Sequence, residues 1–194
     1  MSTATESRQA ERRIPGEAGL WAFILLDLVV FTVFFVTVLH YRGEAPAAFA
    51  AGQAELHGGL AVINTLFLVT GSLVVVRAVE AARSGAVLAA RRCLTAAIAT
   101  GCGFLAVKGL EYAFLLSEGY SIHDGTFYLC YFAFTGVHLV HVVVATAVLL
   151  FMRRALRAGS SPAPRLPLLE GGAAYWHMVD LLWLILFPLL YLSA

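Results

Sequence analysis

Five apolar runs, each long enough to cross a bilayer, dominate this 194-residue chain. A membrane-crossing helix needs about 20 mainly apolar residues. The runs at 20–39, 58–76, 94–116, 127–152 and 173–192 meet that length. A backbone inside lipid has no water to bond, so each run must satisfy itself as a helix. The expected fold class is an all-α integral membrane protein, a five-helix transmembrane bundle. Composition agrees: 60% of residues are hydrophobic and 13% charged, where soluble domains carry about half and a quarter. Residues 1–15 read as a polar cytoplasmic leader and 16–194 as the membrane domain. Ala45-Pro46-Ala47 after the first run resembles a signal-peptidase site. That run is too long for a signal peptide's apolar core, and four more follow, so it reads as a retained helix.

Arginines set the expected orientation. Arg8, Arg12 and Arg13 precede the first run, Arg77, Arg83, Arg91 and Arg92 border the second loop, and Arg153, Arg154, Arg157 and Arg165 fill the fourth. These are alternate segments, hence one side. The other side holds Arg42 with Glu44, Glu55, Glu118 and Asp124. The positive-inside bias puts the N-terminus in the cytoplasm and the C-terminus in the periplasm, in a bacterial inner membrane. The segment 153–172, rich in Gly, Ser and Pro, reads as a flexible connector, with Pro167 near the start of the last helix. A net charge of +1 offers nothing to nucleic acid. Cys93, Cys102 and Cys130 lack a C-x-x-C spacing and read as small buried hydrophobes. No internal repeat supports an inverted-repeat transporter.

The informative residues are those that lipid should exclude: Asp27, Lys108, Glu111, His138, His141, His177 and Asp180. An ionisable group at mid-depth faces a protein interior and has a partner. Asp27, His138, His141, His177 and Asp180 fall near mid-membrane on the first, fourth and fifth helices. Lys108 and Glu111 lie nearer the periplasmic end of the third. His138 and His141 could ligate a metal or haem, or could bond between helices. H-x-x-H is a weak metal signal, no Glu-x-x-His pair suggests a di-iron bundle, and a haem would need His177 to oppose His141. Lys108 and Glu111, three apart, form either an ion pair or part of an ion path. Asp27, a carboxyl that burial in low dielectric would tend to keep protonated, is the candidate proton-related group. Tyr175, Trp176 and Tyr191 read as an interfacial aromatic belt. Gly101, Gly103, Gly109 and Gly136 would permit close helix approach. No nucleophile elbow, phosphate loop or zinc-protease motif is present, so no catalytic residue and no metal site is assigned.

Taken in order, the motifs resemble a known family. Gly19-Leu20-Trp21-Ala22-Phe23-Ile24-Leu25-Leu26-Asp27, then Phe31-Thr32-Val33-Phe34-Phe35, is similar to the first helix of five-helix subunit III proteins of haem–copper oxidases. Asn64-Thr65-Leu66 resembles the family's N-T-x-x-L, and Lys108-Gly109-Leu110-Glu111-Tyr112 its E-Y motif. Thr135-Gly136-Val137-His138-Leu139-Val140-His141-Val142 resembles T-G-x-H-x-x-H-V. Glu170 and Tyr175-Trp176-His177-Met178-Val179-Asp180-Leu181-Leu182-Trp183 resemble the closing E-x-x-x-x-Y-W-H-x-V-D-x-x-W.

The resemblance implies a cytochrome c oxidase subunit III type of bundle. It also implies a non-catalytic accessory subunit with no cofactor of its own, bound phospholipid, and a catalytic membrane subunit as partner. Asp27 takes the place of the family's buried carboxylate. Lys108, Glu111, His138, His141, His177 and Asp180 take the places of internal polar pairs. Trp21, Asn64, Glu170 and Trp176 fall at lipid-cleft or packing positions. Mitochondrial-type members have two further helices and a Glu where this chain has Asp27, and oxidase members often carry Gln at Lys108. Those departures resemble the NorE-type protein associated with nitric oxide reductase in denitrification. Subunit III of an aerobic cytochrome c or quinol oxidase, supporting proton uptake and turnover stability, is the alternative. An autonomous haem-binding membrane protein and a proton transporter stand as readings of a different class.

Overall fold

A computed structural model describes residues 18–156 and 162–192. The leader, with Arg8, Arg12 and Arg13, and the segment 157–161 lie outside the described residues. The elements are α1 (Ala18–Glu44), α2 (Pro46–Ala54), α3 (Gly58–Arg83), α4 (Val87–Ser117), α5 (Thr126–Ala155) and α6 (Leu166–Phe187). A short 3-10 turn, Ala163–Arg165, leads into α6, and a π-helical segment, Pro188–Leu192, follows it. All helices except α2 are long and apolar enough to cross a membrane. The architecture is an all-α five-helix membrane bundle, with no strand among the described residues.

The turns follow from the sequence. α3 ends where Gly85 adopts φ +80°, and α4 ends where Gly119 adopts φ +93°. At the first, Ala86 N–H bonds Ala81 O and Gly85 N–H bonds Ala82 O; at the second, Tyr120 N–H bonds Leu115 O and Gly119 N–H bonds Leu116 O. Both are Schellman caps, which close the last carbonyls and need a left-handed residue that glycine supplies at little cost. Before α5, Asp124 Oδ2 accepts from the Ser121 hydroxyl and the Ser121 backbone N–H, each at 2.6 Å. Those bonds, the hydroxyl first, hold this exposed carboxyl below the usual carboxylate range.

Two expectations need correction. α2 was not foreseen: Pro46 starts a short helix, because a missing N–H costs nothing in a first turn. It lies across the end of the bundle opposite the arginines, with Phe49 and Gly52 against Phe127 of α5. The last helix begins at Leu166 rather than near 173, since Pro167 sits in its first turn. Tyr175 and Trp176 are therefore buried inside α6 rather than placed at a membrane edge.

α6 is the central element. Over half of its span is buried (56%), against 22% for α1. Trp176 of α6 fills the space left by Gly71 of α3 and Gly101 of α4, and Gly172 faces Met152 and Val148 of α5. α3 and α4 pack along their length, and α5 closes the group against α4 and α6. α1 adds to one side through Phe34 stacked on Phe134, centroids 4.5 Å apart, and Phe23 beside Tyr175 at 5.9 Å. Small residues do serve the close approach, though Gly109 and Gly136 do not: a Cβ on Gly109 would meet nothing within 4 Å, and on Gly136 only the Tyr112 hydroxyl at 3.8 Å.

A Cβ at Gly71 would lie 2.6 Å from Thr100 Oγ1 and 2.8 Å from Trp176 Cζ2. Gly71→Ala is expected to cost about 1–3 kcal/mol by overpacking, while Gly109→Ala is neutral or better. Detergent-unfolding titrations of the two variants check the contrast.

Candidate functional site

The intramembrane polar residues gather into separate groups. At the end opposite the arginines, Lys108 of α4 is fully buried. Its Nζ donates to Glu111 Oε2 at 3.1 Å, Tyr131 OH at 2.9 Å and Tyr191 OH at 2.7 Å. The two phenols in turn donate to Glu111 Oε1 at 2.9 and 2.6 Å. An ammonium has three donors, and here all three are used. The phenols pass their hydrogens to the carboxylate that also faces the ammonium, so the network closes on itself. The rings of Tyr131, Tyr112, Trp183 and Tyr191 surround Nζ at 4.6–5.4 Å, adding cation–π attraction. Thr135 Oγ1 donates to Tyr131 O at 2.6 Å and therefore accepts the Tyr112 hydroxyl hydrogen at 2.6 Å.

One turn or two away, His138 of α5 is fully buried and stacks on Trp183, centroids 5.3 Å apart. Neither ring nitrogen has a hydrogen-bond partner among the described residues, and the same holds for both side-chain atoms of Asn64 on α3. Trp183 itself donates to Thr65 Oγ1 at 3.0 Å.

Asp27 of α1 meets His141 of α5, Oδ2 to Nε2, at 3.4 Å. His141 Nδ1 lies 2.8 Å from Val137 O. A carbonyl only accepts, so Nδ1 carries a hydrogen. The opposite nitrogen of a neutral ring is then a lone pair, facing a carboxylate oxygen that is also an acceptor. At 3.4 Å the two are within ion-pair range, and Asp27 Oδ2 makes no hydrogen bond to a described residue. Phe31 packs against the His141 ring at 5.3 Å and screens one side.

On the far side of α6, Ser72 Oγ donates to Asp180 Oδ2 at 2.6 Å and lies 2.9 Å from His177 Nδ1. With the hydroxyl hydrogen spent on the carboxylate, His177 Nδ1 must be the donor to Ser72. Asp180 is buried, and His177 is half-buried.

The structure thus distributes the expected site residues rather than assembling them. His138 and His141 leave one face of α5 toward different neighbours, Trp183 and Asp27. His177 engages α3, on the other side of α6 from His141. Among the described residues no group of three or more His, Cys, Asp or Glu is placed to hold a metal ion. Glu170 accepts from Arg83 Nε and an Arg83 terminal nitrogen at 3.0 and 2.7 Å, pinning α6 to α3 near the arginine-rich end. Ser72, Tyr131 and Tyr191 were not foreseen as partners. Tyr191 in particular read as a belt residue, yet it closes the Lys108 network. Nothing local in the sequence marks Ser72 or Tyr131, since the partners of each are on other helices.

A cavity of about 590 Å³ opens near the arginine-rich end between α1, α5 and α6. Leu20, Phe23, Val144, Val148, Leu168 and Tyr175 are among its walls. Trp21, Asn64, Glu170 and Trp176 are not: Trp21 is half-buried beside Leu20 of the cavity wall, Asn64 is buried on α3, Glu170 binds Arg83 of α3, and Trp176 packs on Gly71 of α3 and Gly101 of α4.

Comparison with known proteins gives a consistent result. The family model described as cytochrome c oxidase subunit III matches residues 13–194. Cytochrome c oxidase subunit 3 of Thermostichus vulcanus is 30% identical over 90% of this chain and 85% of its own length. The protein of the same name from Synechocystis sp. is 28% identical over 98% and 86%, and that from Prototheca wickerhamii 34% identical over 89% and 67%.

Lys108→Met leaves Glu111 without its counter-charge in a site that water does not reach. The expected loss is about 3–5 kcal/mol. Adding Glu111→Leu recovers most of it, because the pair is then replaced by apolar volume. Unfolding titrations of the single and double variants in detergent measure both.

Proposed function

This chain belongs to the cytochrome c oxidase subunit III family, and on that premise we propose that it is a non-catalytic subunit of a bacterial haem–copper oxidase, supporting proton uptake and turnover stability. The observation that carries the reading is the Asp27–His141 pair. It brings a carboxyl and an imidazole within 3.4 Å of each other inside the membrane, with Asp27 Oδ2 left without a hydrogen bond. An ionisable pair of this kind, half-buried where the bundle is partly open, suits a subunit that supports proton uptake by a neighbour. The imidazoles of His138, His141 and His177 point to different neighbours rather than to one another, which supports placing the redox chemistry in the partner. With the arginine-rich end inside, Asp27 lies on the cytoplasmic half of α1, the side from which protons would be taken up.

We place nitric oxide reductase second. The shortness that resembled the NorE type is shared by relatives named cytochrome c oxidase subunit 3, whose length this chain covers to 85% and 86%. Asp27 and Lys108 are what remains in favour of that partner.

We also propose that the cavity between α1, α5 and α6 holds phospholipid acyl chains. The side chains that line it are apolar apart from the Tyr175 hydroxyl, and Arg165 falls in the sequence between two of its lining residues, Pro164 and Pro167.

In membranes of the source bacterium, removing the chain or changing Asp27→Asn is expected to shorten the time over which oxygen-consuming turnover persists; Asp27→Glu retains it. Oxygen-electrode traces measure this. Unchanged oxygen turnover with reduced nitric oxide consumption transfers the role to the reductase. A stoichiometric Soret band from the purified chain overturns the accessory reading altogether. For the cavity, Val144→Trp is expected to lower the phospholipid that co-purifies, counted as lipid phosphorus per chain.

A further inference from the structure

α6 is enclosed on most sides, yet one stripe of it is open. His177, Leu181, Leu184, Ile185 and Pro188 fall within an arc about 100° wide at 3.6 residues per turn. His177 and the residues above it on this stripe are half-buried or exposed. The arc lies between the side of α6 that meets α3, through Ser72 and Asp180, and the side that meets α1, through Tyr175 and Phe23. α1 and α3 are not packed on each other. The result is a groove with α6 as its floor. On α3, Val62, Val69 and Val76 are spaced by seven, share one face beside Thr65 and Ser72, and are exposed, forming a wall.

Apolar side chains in such a groove would be content with lipid. His177 would not. Its Nδ1 donates to Ser72, so Nε2 presents a lone pair, and no partner for it exists among the described residues. His177 is roughly 16 Å along α6 from Leu166 at 1.5 Å per residue, and Ser72 sits near the middle of α3. At that depth a lipid offers only acyl chains, which have no hydrogen to donate, and an unmet acceptor in hydrocarbon is costly. The occupant that satisfies both the apolar floor and the lone pair is a helix carrying one donor.

We propose that this α1–α6–α3 groove receives a transmembrane helix of the haem-carrying catalytic subunit, with an O–H or N–H side chain donating to His177 Nε2. This rests on the reading of the chain as an accessory subunit. An apolar helix that buries one polar contact at mid-depth is the usual way membrane helices fix register. The opposite outer face of the bundle, through Val140 and Val143 of α5, has only apolar side chains and suits lipid.

Photo-crosslinking in intact membranes tests the surface. A benzophenone side chain is placed at Leu181 or Leu184, and separately at Val140 or Val143, and products are identified by mass and haem content. The expected result is a product joining this chain to the haem-carrying subunit from the α6 positions only. Capture of that subunit from the α5 positions alone overturns the groove and leaves the accessory reading standing. A dimer of this chain, or lipid alone, captured from the groove overturns the groove as well. No joined product from either face, together with no co-purification of the haem subunit, overturns both. His177→Leu is expected to reduce the haem subunit recovered with this chain about three- to tenfold, and His177→Gln, which keeps an acceptor, to restore most of it. Equal recovery with His177→Leu overturns the assigned hydrogen bond.

Discussion

In hydrocarbon a polar group has no solvent to fall back on, so where it finds its partner decides how the helices are arranged. The Lys108 network is the fullest case. Three donors on one ammonium, two phenols and one carboxylate are matched so that the described polar hydrogens are all spent within the group. The contributing side chains come from α4, α5 and the π-helical end. Closing the network therefore fixes the position of the chain's last described turn as well as the α4–α5 seam. A normal α-helical continuation of α6 would rotate Tyr191 by a fraction of a turn, and the wider π geometry at Pro188–Leu192 is where Tyr191 meets Lys108.

The second organising feature is steric. Trp176 reaches α3 and α4 only because Gly71 and Gly101 have no side chains there, and Gly172 lets α5 approach from the other side. α6 is thereby held by close packing on α3 and α5 and by the Trp176 ring against Gly101 of α4, whereas α1 is attached by aromatic rings and by the Asp27–His141 contact. The cavity opens on the same flank of α6 that α1 covers, at the arginine-rich end. An element attached in this way can shift at less cost than any of α3 to α6, since few of its side chains are interlocked with the rest.

The five spans were legible because length and hydropathy are local properties, and so was the Lys108–Glu111 pair, three residues apart on one helix. The partners across helices were not. Ser72 is an unremarked serine in an apolar run until α6 brings His177 and Asp180 to it. Tyr191 carries the composition of a belt residue, and only the tertiary arrangement turns it inward. The start of α6 was misread because Pro167, Gly171 and Gly172 look like a connector; a proline in the first turn and glycines against α5 are compatible with a helix. The family resemblance was carried by motifs whose residues are mostly these inward-facing ones, which is why it was legible before any contact was known. The choice between an oxygen-reducing and a nitric-oxide-reducing partner leaned on the missing helices, Asp27 and Lys108, and the first of these does not separate the two, since relatives named cytochrome c oxidase subunit 3 are of similar length.

The polar groups divide by whether their hydrogen bonding is complete within the chain. The Lys108 network is complete and fully enclosed, so it stabilises and has nothing to offer outside. Two half-buried mid-depth groups are open in different ways: Asp27 Oδ2 faces His141 without a hydrogen bond, and His177 Nε2 has no donor among the described residues. These lie on opposite flanks of α6, one beside the cavity-side helix α1 and one in the groove toward α3. His138 and Asn64 also lack hydrogen-bond partners among the described residues, but they are enclosed in the core, whereas Asp27 and His177 are half-buried at the outer flanks of α6, within reach of a neighbouring protein.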